Sequence, residues 1–381
     1  MPDDKTICNF RKDNTKALRS TFREFSRMCR EFGLYGGETI AVDGTKIRAN
    51  NSHKNNHNKI TVERELSRID KNISEYFAAL EAADSAGSEE QTPSAEQIET
   101  ALKKLKERKE KYEKLYERLE TEREISTVDA ESRLMKQGGD ARELNVCYNV
   151  QTAVDAKHHL IVDFDVIDRS DDHGNLASMP EKSKEVMGSE TLTILGDRGY
   201  YDGKDIVECE RNGDRCLVAK PKAGGDRKAK GFAKEDFIYD KTKDCYLCPC
   251  NNQLKFMRFQ KYKDDKLYRI YANYPACKQC PSKTNCTKSK HREMRRLSYQ
   301  DILDIVDERT KNNKELFRKR QEIVEHPFGT IKAVWGFKQF LCRGKPKVTA
   351  EVSLAYLVYN FRRVFNIFKE NNENLIVAIG V

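Results

Sequence analysis

From Glu38 to Ile47 the chain reads ETIAVDGTKI, which alternates and carries Ile40, Val42 and Ile47. This predicts a strand carrying Asp43 near its C-terminal end. Thr61 to Ala83 and Ala95 to Arg123 follow a different period. They are rich in Glu, Lys, Leu, Ala and Arg, and Leu102, Leu105, Tyr112, Leu115 and Leu119 recur at helical spacing. SAGSEEQTPS breaks the pattern between them, with Ser94 placed to cap the second helix. The expectation is an antiparallel helical hairpin inserted into a sheet, a solvated two-helix arm without catalytic role. Strand character returns in LNVCYNVQTAV and HLIVDFDVI, joined by DAKH as a hairpin. Asp172 is placed to cap a helix running to about Val186, and TLTILGDRGYYDG gives an apolar strand ending at Asp197. A helix over Lys204 to Asn212 and a short strand in RCLVAK complete a mixed α/β layout. Residues 222–286 look inserted. Beyond them Tyr299 to Lys319 reads as a helical run. The last stretch sets Val352, Leu354, Leu357, Val358, Phe361 and Phe365 on one helical face, expected to pack on the sheet.

Composition narrows the class. The 381 residues hold 70 Lys and Arg against 61 Asp and Glu, a net charge of +9, and 38% are hydrophobic, which suffices for one sizeable core. No apolar run approaches the roughly 20 residues of a bilayer span, and the opening MPDDKTICNFRKDN has no apolar leader. Membrane and secreted classes fall away, and the expected compartment is reducing cytoplasm, where twelve cysteines point to metal or packing. Charge is uneven: Thr287 to Ala350 carries 16 Lys and Arg against 8 Asp and Glu, almost the whole net charge. Such a block is either a polyanion-binding surface or a solvated helix face.

Three carboxylates stand where chemistry would want them: Asp43 and Asp197 at strand ends and Glu325 in a helical region, 154 and 128 residues apart. Only a fold that converges strand ends under a covering helix unites them. Clustered carboxylates repel unless divalent cations sit among them. Oxygen-only ligands favour Mg²⁺ or Mn²⁺, and a pair of such ions serves in-line phosphoryl transfer. Asp155 in the hairpin turn, and Asp163 and Asp165 along the next strand, compete, but read as a turn former and solvent-face residues.

VDGTKIRANNS, LGDRGYYDG and VEHPFGTIKAVWGFKQFLCRG, in that order, closely resemble the insertion-sequence DDE transposases with a ribonuclease-H-like catalytic core. The resemblance spans nearly the whole chain. It implies a mixed sheet with flanking helices, interrupted by the helical hairpin and by a Cys-rich insertion, and places the acidic triad on Asp43, Asp197 and Glu325. It further implies two Mg²⁺ (or Mn²⁺) ions, cleavage of DNA by water, and joining of the 3′-hydroxyl to target DNA. The family's Tyr, Arg, Glu, Lys signature is met by Glu325 and Lys332, seven residues apart and thus on one helical face. Its Arg position falls on Gln321, with Arg320 one place off and Phe317 at the Tyr position. Arg320, Lys332, Arg343 and Lys345 are the candidate phosphate contacts. Partners are transposon-end and target DNA, with a homodimer left open. PDDKTICNFRKDNTKALRSTFREF resembles the tail of a helical DNA-binding domain. The expected division is therefore 1–36 for this remnant, 37–59, 127–221 and 287–381 for the core, 60–126 for the arm and 222–286 for the Cys-rich insertion. A non-catalytic DNA-binding remnant and a general nuclease on the same core are the rival readings.

Cys245, Cys248, Cys250, Cys277, Cys280 and Cys286 fall within 42 residues, and the two-residue gap between Cys277 and Cys280 lets both thiolates reach one tetrahedral ion. The resemblance favours Cys248, Cys277, Cys280 and Cys286 as ligands of a structural Zn²⁺, with Cys245 and Cys250 as alternatives. The other six cysteines read as packed thiols. Trp335 and Phe337 could stack on a base but read as core, and the histidines read as surface or loop residues without zincin spacing.

Overall fold

The structure is a computed structural model that describes residues 3–86, 95–137, 144–221, 231–262 and 265–370. Helices α1 (Asp4–Asp13) and α2 (Thr15–Glu31) lead into strand β1 (Thr39–Arg48). Next come β2 (Asn56–His57), the long helices α3 (Lys59–Ala86) and α4 (Ala95–Arg118), β3 (Ile125–Ser126) and β4 (Arg133–Lys136). The middle holds β5 (Leu144–Asp155), β6 (Ile161–Ile167), α5 (Ser178–Met187), β7 (Thr193–Gly196), α6 (Gly203–Arg211) and β8 (Arg215–Val218). A second run of strands follows: β9 (Ile238–Asp240), β10 (Cys245–Leu247), β11 (Gln253–Lys261) and β12 (Leu267–Ala272). Short helices α7 (Tyr274–Lys278) and α8 (Lys283–Cys286) precede β13 (Glu293–Leu297), and α9 (Gln300–Asn312), α10 (Lys314–Phe328) and α11 (Lys345–Glu370) close the chain.

Six strands form the central sheet. The order is β4-β5-β1-β7-β8, with β6 sharing the outer edge of β5 with β4. β1 is antiparallel to β5 and parallel to β7, and β7 is parallel to β8. One face is covered by α5, α6 and α9, whose Met179, Ile206, Leu303 and Val306 meet Ile40, Val42 and Ile194. On the other, α10 and α11 bring Ile323, Val324, Val352 and Tyr356 against Ala41, Ile47, Val150 and Leu195. Helix α2 joins this second core through Phe22, which packs on Phe164 and Tyr356 at ring distances of 5.4 and 6.4 Å. Its Arg19 and Arg23 pair with the buried carboxylate of Asp163. Asp163 therefore does not face solvent, contrary to the alternation reading: arginines from α2 cover that face. Asp165 pairs with Lys182, and Asp155 accepts from the backbone N–H of Gly36 and Lys157, as a turn former does.

The arm is a helical pair, stitched by Arg108–Glu65 and Lys109–Asp70 ion pairs over a small core of Val62, Leu115, Leu119 and Ile125. His57 is buried at its base, against the expectation of a surface residue, and Ser94 lies outside the described residues. The Cys-rich region is a five-stranded antiparallel sheet in the order β13-β12-β11-β10-β9, so it runs on to Leu297 rather than ending at residue 286.

Two expectations along the helices are corrected. The run expected over 299–319 divides at Asn313 into α9 and α10. On α11, Val352 is buried, Leu354 and Leu357 are half-buried, and Val358, Phe361 and Phe365 are exposed. The stripe that meets the sheet includes Tyr356, Tyr359, Asn360, Val364 and Ile367. Asn360 bridges both backbone groups of Ile161, and Tyr356 Oη lies 2.8 Å from Thr152 Oγ1. Satisfied polar groups can be buried, so hydrophobicity alone selects the wrong stripe. Trp335 and Phe337 pack at the edge of the second core, as expected.

Candidate active site

The register of two parallel strands makes the acidic pair. Val42 of β1 lies opposite Gly196 of β7, so Asp43 and Asp197, the next residues, stand side by side where β7 ends. Asp43 is mid-strand rather than near the C-terminal end as expected, because β1 stays paired with β5 as far as Arg48. Asp197 caps the following turn, its Oδ1 accepting from the Gly199 N–H at 2.7 Å. Asp43 accepts from the N–H of Gly44 at 2.8 Å and pairs with Arg320 of α10, Nη1 to Oδ2 3.1 Å. Burial pushes the Asp43 carboxyl up to about 6; Arg320 opposes the rise and the charge of Asp197 adds to it.

Behind the pair lies a layer of polar side chains. Gln151 and Asn149 of β5 donate to Asp172 Oδ1 at 2.7 and 3.0 Å, and the buried Tyr200 donates to Gln151 Oε1. Asp172 is therefore no helix cap: α5 begins at Ser178, with Ala177 before it and no side-chain cap bond. The amides of β5 hold its carboxylate at the sheet. No spacing rule singles out Asp172, Asn149 or Gln151. Tyr200 lies within the LGDRGYYDG motif but has no spacing signal of its own.

The helical partners are distributed differently. Glu325 is exposed on α10 and accepts from Gln321 Nε2 at 2.6 Å. Pro327 lies inside α10, which continues into a π-helical turn over Gly329–Val334. The wider turn alters the register between Glu325 and Lys332. Lys332 is half-buried, and its Nζ donates to Thr45 Oγ1 at 3.0 Å and to the Lys46 carbonyl at 3.2 Å. Burial lowers its pKa. Arg343 is exposed and donates to the Asn50 carbonyl, and Lys345 is exposed at the start of α11. Arg320 and Lys332 thus grip β1 at Asp43 and at Thr45, and Glu325 lies between them on the helix.

Five cysteines line one cavity in the second sheet: Cys248, Cys250, Cys277, Cys280 and Cys286. Cys250 Sγ and Cys280 Sγ are 3.8 Å apart. Burial raises the Cys286 thiol pKa, Arg292 opposes it, and neighbouring Cys277, Cys248 and Cys280 add to it. Cys245 is buried in β10 outside that lining. Of the remaining six, Cys29, Cys147, Cys209 and Cys216 are buried, as packed thiols should be, while Cys342 is half-buried and Cys8 is exposed. Among the described residues no three His, Cys, Asp or Glu side chains already stand in an arrangement that could hold a metal ion, and no helix is long and apolar enough to cross a membrane.

Comparison with known proteins gives one result. Residues 247–365, which include Arg320, Glu325, Lys332 and five of the six clustered cysteines, match the family model of the transposase DDE domain. No curated protein and no solved structure matches the chain. Over residues 247–365 the chain is therefore similar to the DDE domain of transposases.

Proposed function

We propose that the chain is the catalytic core of an insertion-sequence transposase that cleaves DNA and joins the freed 3′-hydroxyl to target DNA. The observation that carries this reading is the in-register emergence of Asp43 and Asp197 from adjacent parallel strands. Their donors are all oxygen, which suits Mg²⁺ or Mn²⁺; such ions would activate the attacking oxygen and stabilise the leaving one. Asp43 and Asp197 would hold them, with Glu325 completing the set from α10. Arg320 orients Asp43, and Lys332 ties the π-helical turn to β1. The mixed strand order with helices on both faces supports a ribonuclease-H-like core. Arg343 and Lys345, exposed in the basic segment, are the remaining candidates for phosphate contacts. A structural Zn²⁺ would be held in the five-cysteine cavity once further thiols close on one pair that already has the spacing, since Zn–S bonds of about 2.3 Å at tetrahedral angles separate two sulfurs by about 3.8 Å. That distance separates Cys250 from Cys280, which brings Cys250 into the ligand set.

The test is strand cleavage of duplex DNA with Mg²⁺ or Mn²⁺. Cleavage by the intact chain, abolished in Asp43→Ala, Asp197→Ala and Glu325→Ala proteins that still fold, is the expected result. Full cleavage by Asp197→Ala overturns it. A second reading, a non-catalytic DNA-binding remnant, draws on the exposed position of Glu325 and its bond to Gln321. It predicts salt-sensitive DNA binding without nicking.

A further inference from the structure

We propose that Asp172 is a further carboxylate of the cation site, acting beside Asp197; the inference rests on the cation-dependent reading above. Asp172 lies in the loop between β6 and α5, and both of its amide donors bond to Oδ1. Those donors, Asn149 and Gln151, pair in register with Lys46 and Gly44 of β1, which pins the carboxylate beside the strand that bears Asp43. Tyr200 fixes the arrangement further. By donating to Gln151 Oε1 it leaves only the Nε2 end of that amide to face Asp172.

The second oxygen, Oδ2, is thereby left for another task. It lies 3.3 Å from the point a Cβ on Gly199 would occupy, and Asp197 Oδ1 lies 3.0 Å from the same point. Two carboxylates thus converge over a residue that has no side chain to separate them. An independent feature points the same way. Asn149 is only 1% exposed, yet its Oδ1 has no hydrogen-bond donor among the described residues. This oxygen faces Gly44, the residue after Asp43, lying 2.8 Å from where a Cβ there would stand; Asp172 Oδ1 is 2.5 Å from that same point. A buried acceptor without a donor is the kind of group that an ion or its ordered water satisfies. With carboxylate and amide oxygens as donors, the ligand is a hard divalent cation, Mg²⁺ or Mn²⁺.

The competing role for Asp172 is to anchor the loop and nothing more. Asp172→Asn separates the two, because Asn retains an Oδ1 for both amides and replaces only Oδ2 by NH₂. Mn²⁺ binding to the full chain, read from the electron-paramagnetic signal of free Mn²⁺, should weaken at least tenfold in D172N. Asp171→Asn, next door and exposed, should bind as the parent does. Unchanged Mn²⁺ affinity in D172N, with weakened binding in Asp43→Asn and Asp197→Asn, overturns the role of Asp172 and leaves the site reading standing. Mn²⁺ binding indifferent to all three substitutions overturns both. A second measurement needs no variant: Fe²⁺ in place of Mn²⁺, with ascorbate and peroxide, should cut the backbone near residue 172 as well as near residues 43 and 197. Cuts at the latter two alone overturn the proposal.

Discussion

Arg320 Nη1 stands 3.1 Å from Asp43 Oδ2, so the helix that carries Glu325 is fastened to the strand that carries Asp43 by an ion pair whose carboxylate is itself strained by burial. Burial lifts the Asp43 carboxyl to about 6, above the roughly 3.9 of an unfolded chain. The folded state therefore binds the extra proton between those values. The stabilising contribution of that proton is complete below about 4 and is lost as pH rises through about 6. In metal-free protein, Asp43→Asn should raise stability at pH 7.5 by roughly 1–2 kcal/mol and leave it nearly unchanged at about pH 3.5, below the unfolded value. Thermal melts at the two pH values decide it; equal effects at both remove the burial strain from the account.

Gly44 tests how tightly the polar layer is built. A Cβ there would stand 2.5 Å from both Asp172 Oδ1 and Gln151 Nε2. Gly44→Ala should cost roughly 1–3 kcal/mol, the usual range for overpacking, and displace Asp172. A denaturant midpoint equal to that of the parent would show that the layer yields freely.

Arg343 and Lys345 should part company with Lys332. Arg343→Ala with Lys345→Ala should lower the salt dependence of DNA binding, by about 0.9 in the log–log slope for each phosphate that is no longer neutralised. Lys332→Met should instead reduce stability, because Thr45 and Lys46 would be deprived of a partly buried donor. A salt slope that falls in Lys332→Met with no change in melting temperature would reassign Lys332 to the phosphates.

Purified protein is expected to carry about one zinc per chain, the content of a single tetrahedral thiolate set. Cys280→Ser should lose it and loosen the second sheet, since metal binding and folding are coupled. Cys245→Ser should keep it, because that thiol lies outside the cavity. Native mass spectrometry and protease sensitivity of residues 231–297 report both; zinc retained in Cys280→Ser counts against the set.

The strands of the central sheet were legible because β1, β5, β6, β7 and β8 carry strong apolar runs bounded by turn residues. Asp197 was legible as a strand-end carboxylate, whereas Asp43 stands in the middle of β1, whose pairing with β5 carries the strand on to Arg48. Their adjacency was not legible, because sequence spacing carries no record of parallel register. Asp172 misleads for a physical reason: an acid ahead of a helix is the ordinary mark of a cap, and only the amides of β5 claim it for the sheet. The second sheet is hidden in the sequence because β11 exposes Phe256, Met257 and Phe259, which gives no two-sided alternation to read.

The parallel pairing of β1 with β7 also sets a schedule. The two aspartates are 154 residues apart in the chain, and β7 has its place only at the edge of β1. At roughly 5–20 residues per second of synthesis, Asp43 leaves the ribosome some 8 to 30 seconds before its neighbour. Throughout that interval the nascent polypeptide holds one carboxylate of the pair and no place for a cation between two. On the proposed chemistry, a translation product broken off anywhere before residue 193 is therefore harmless to the DNA around it, and cutting has to wait until β7 is laid down beside β1.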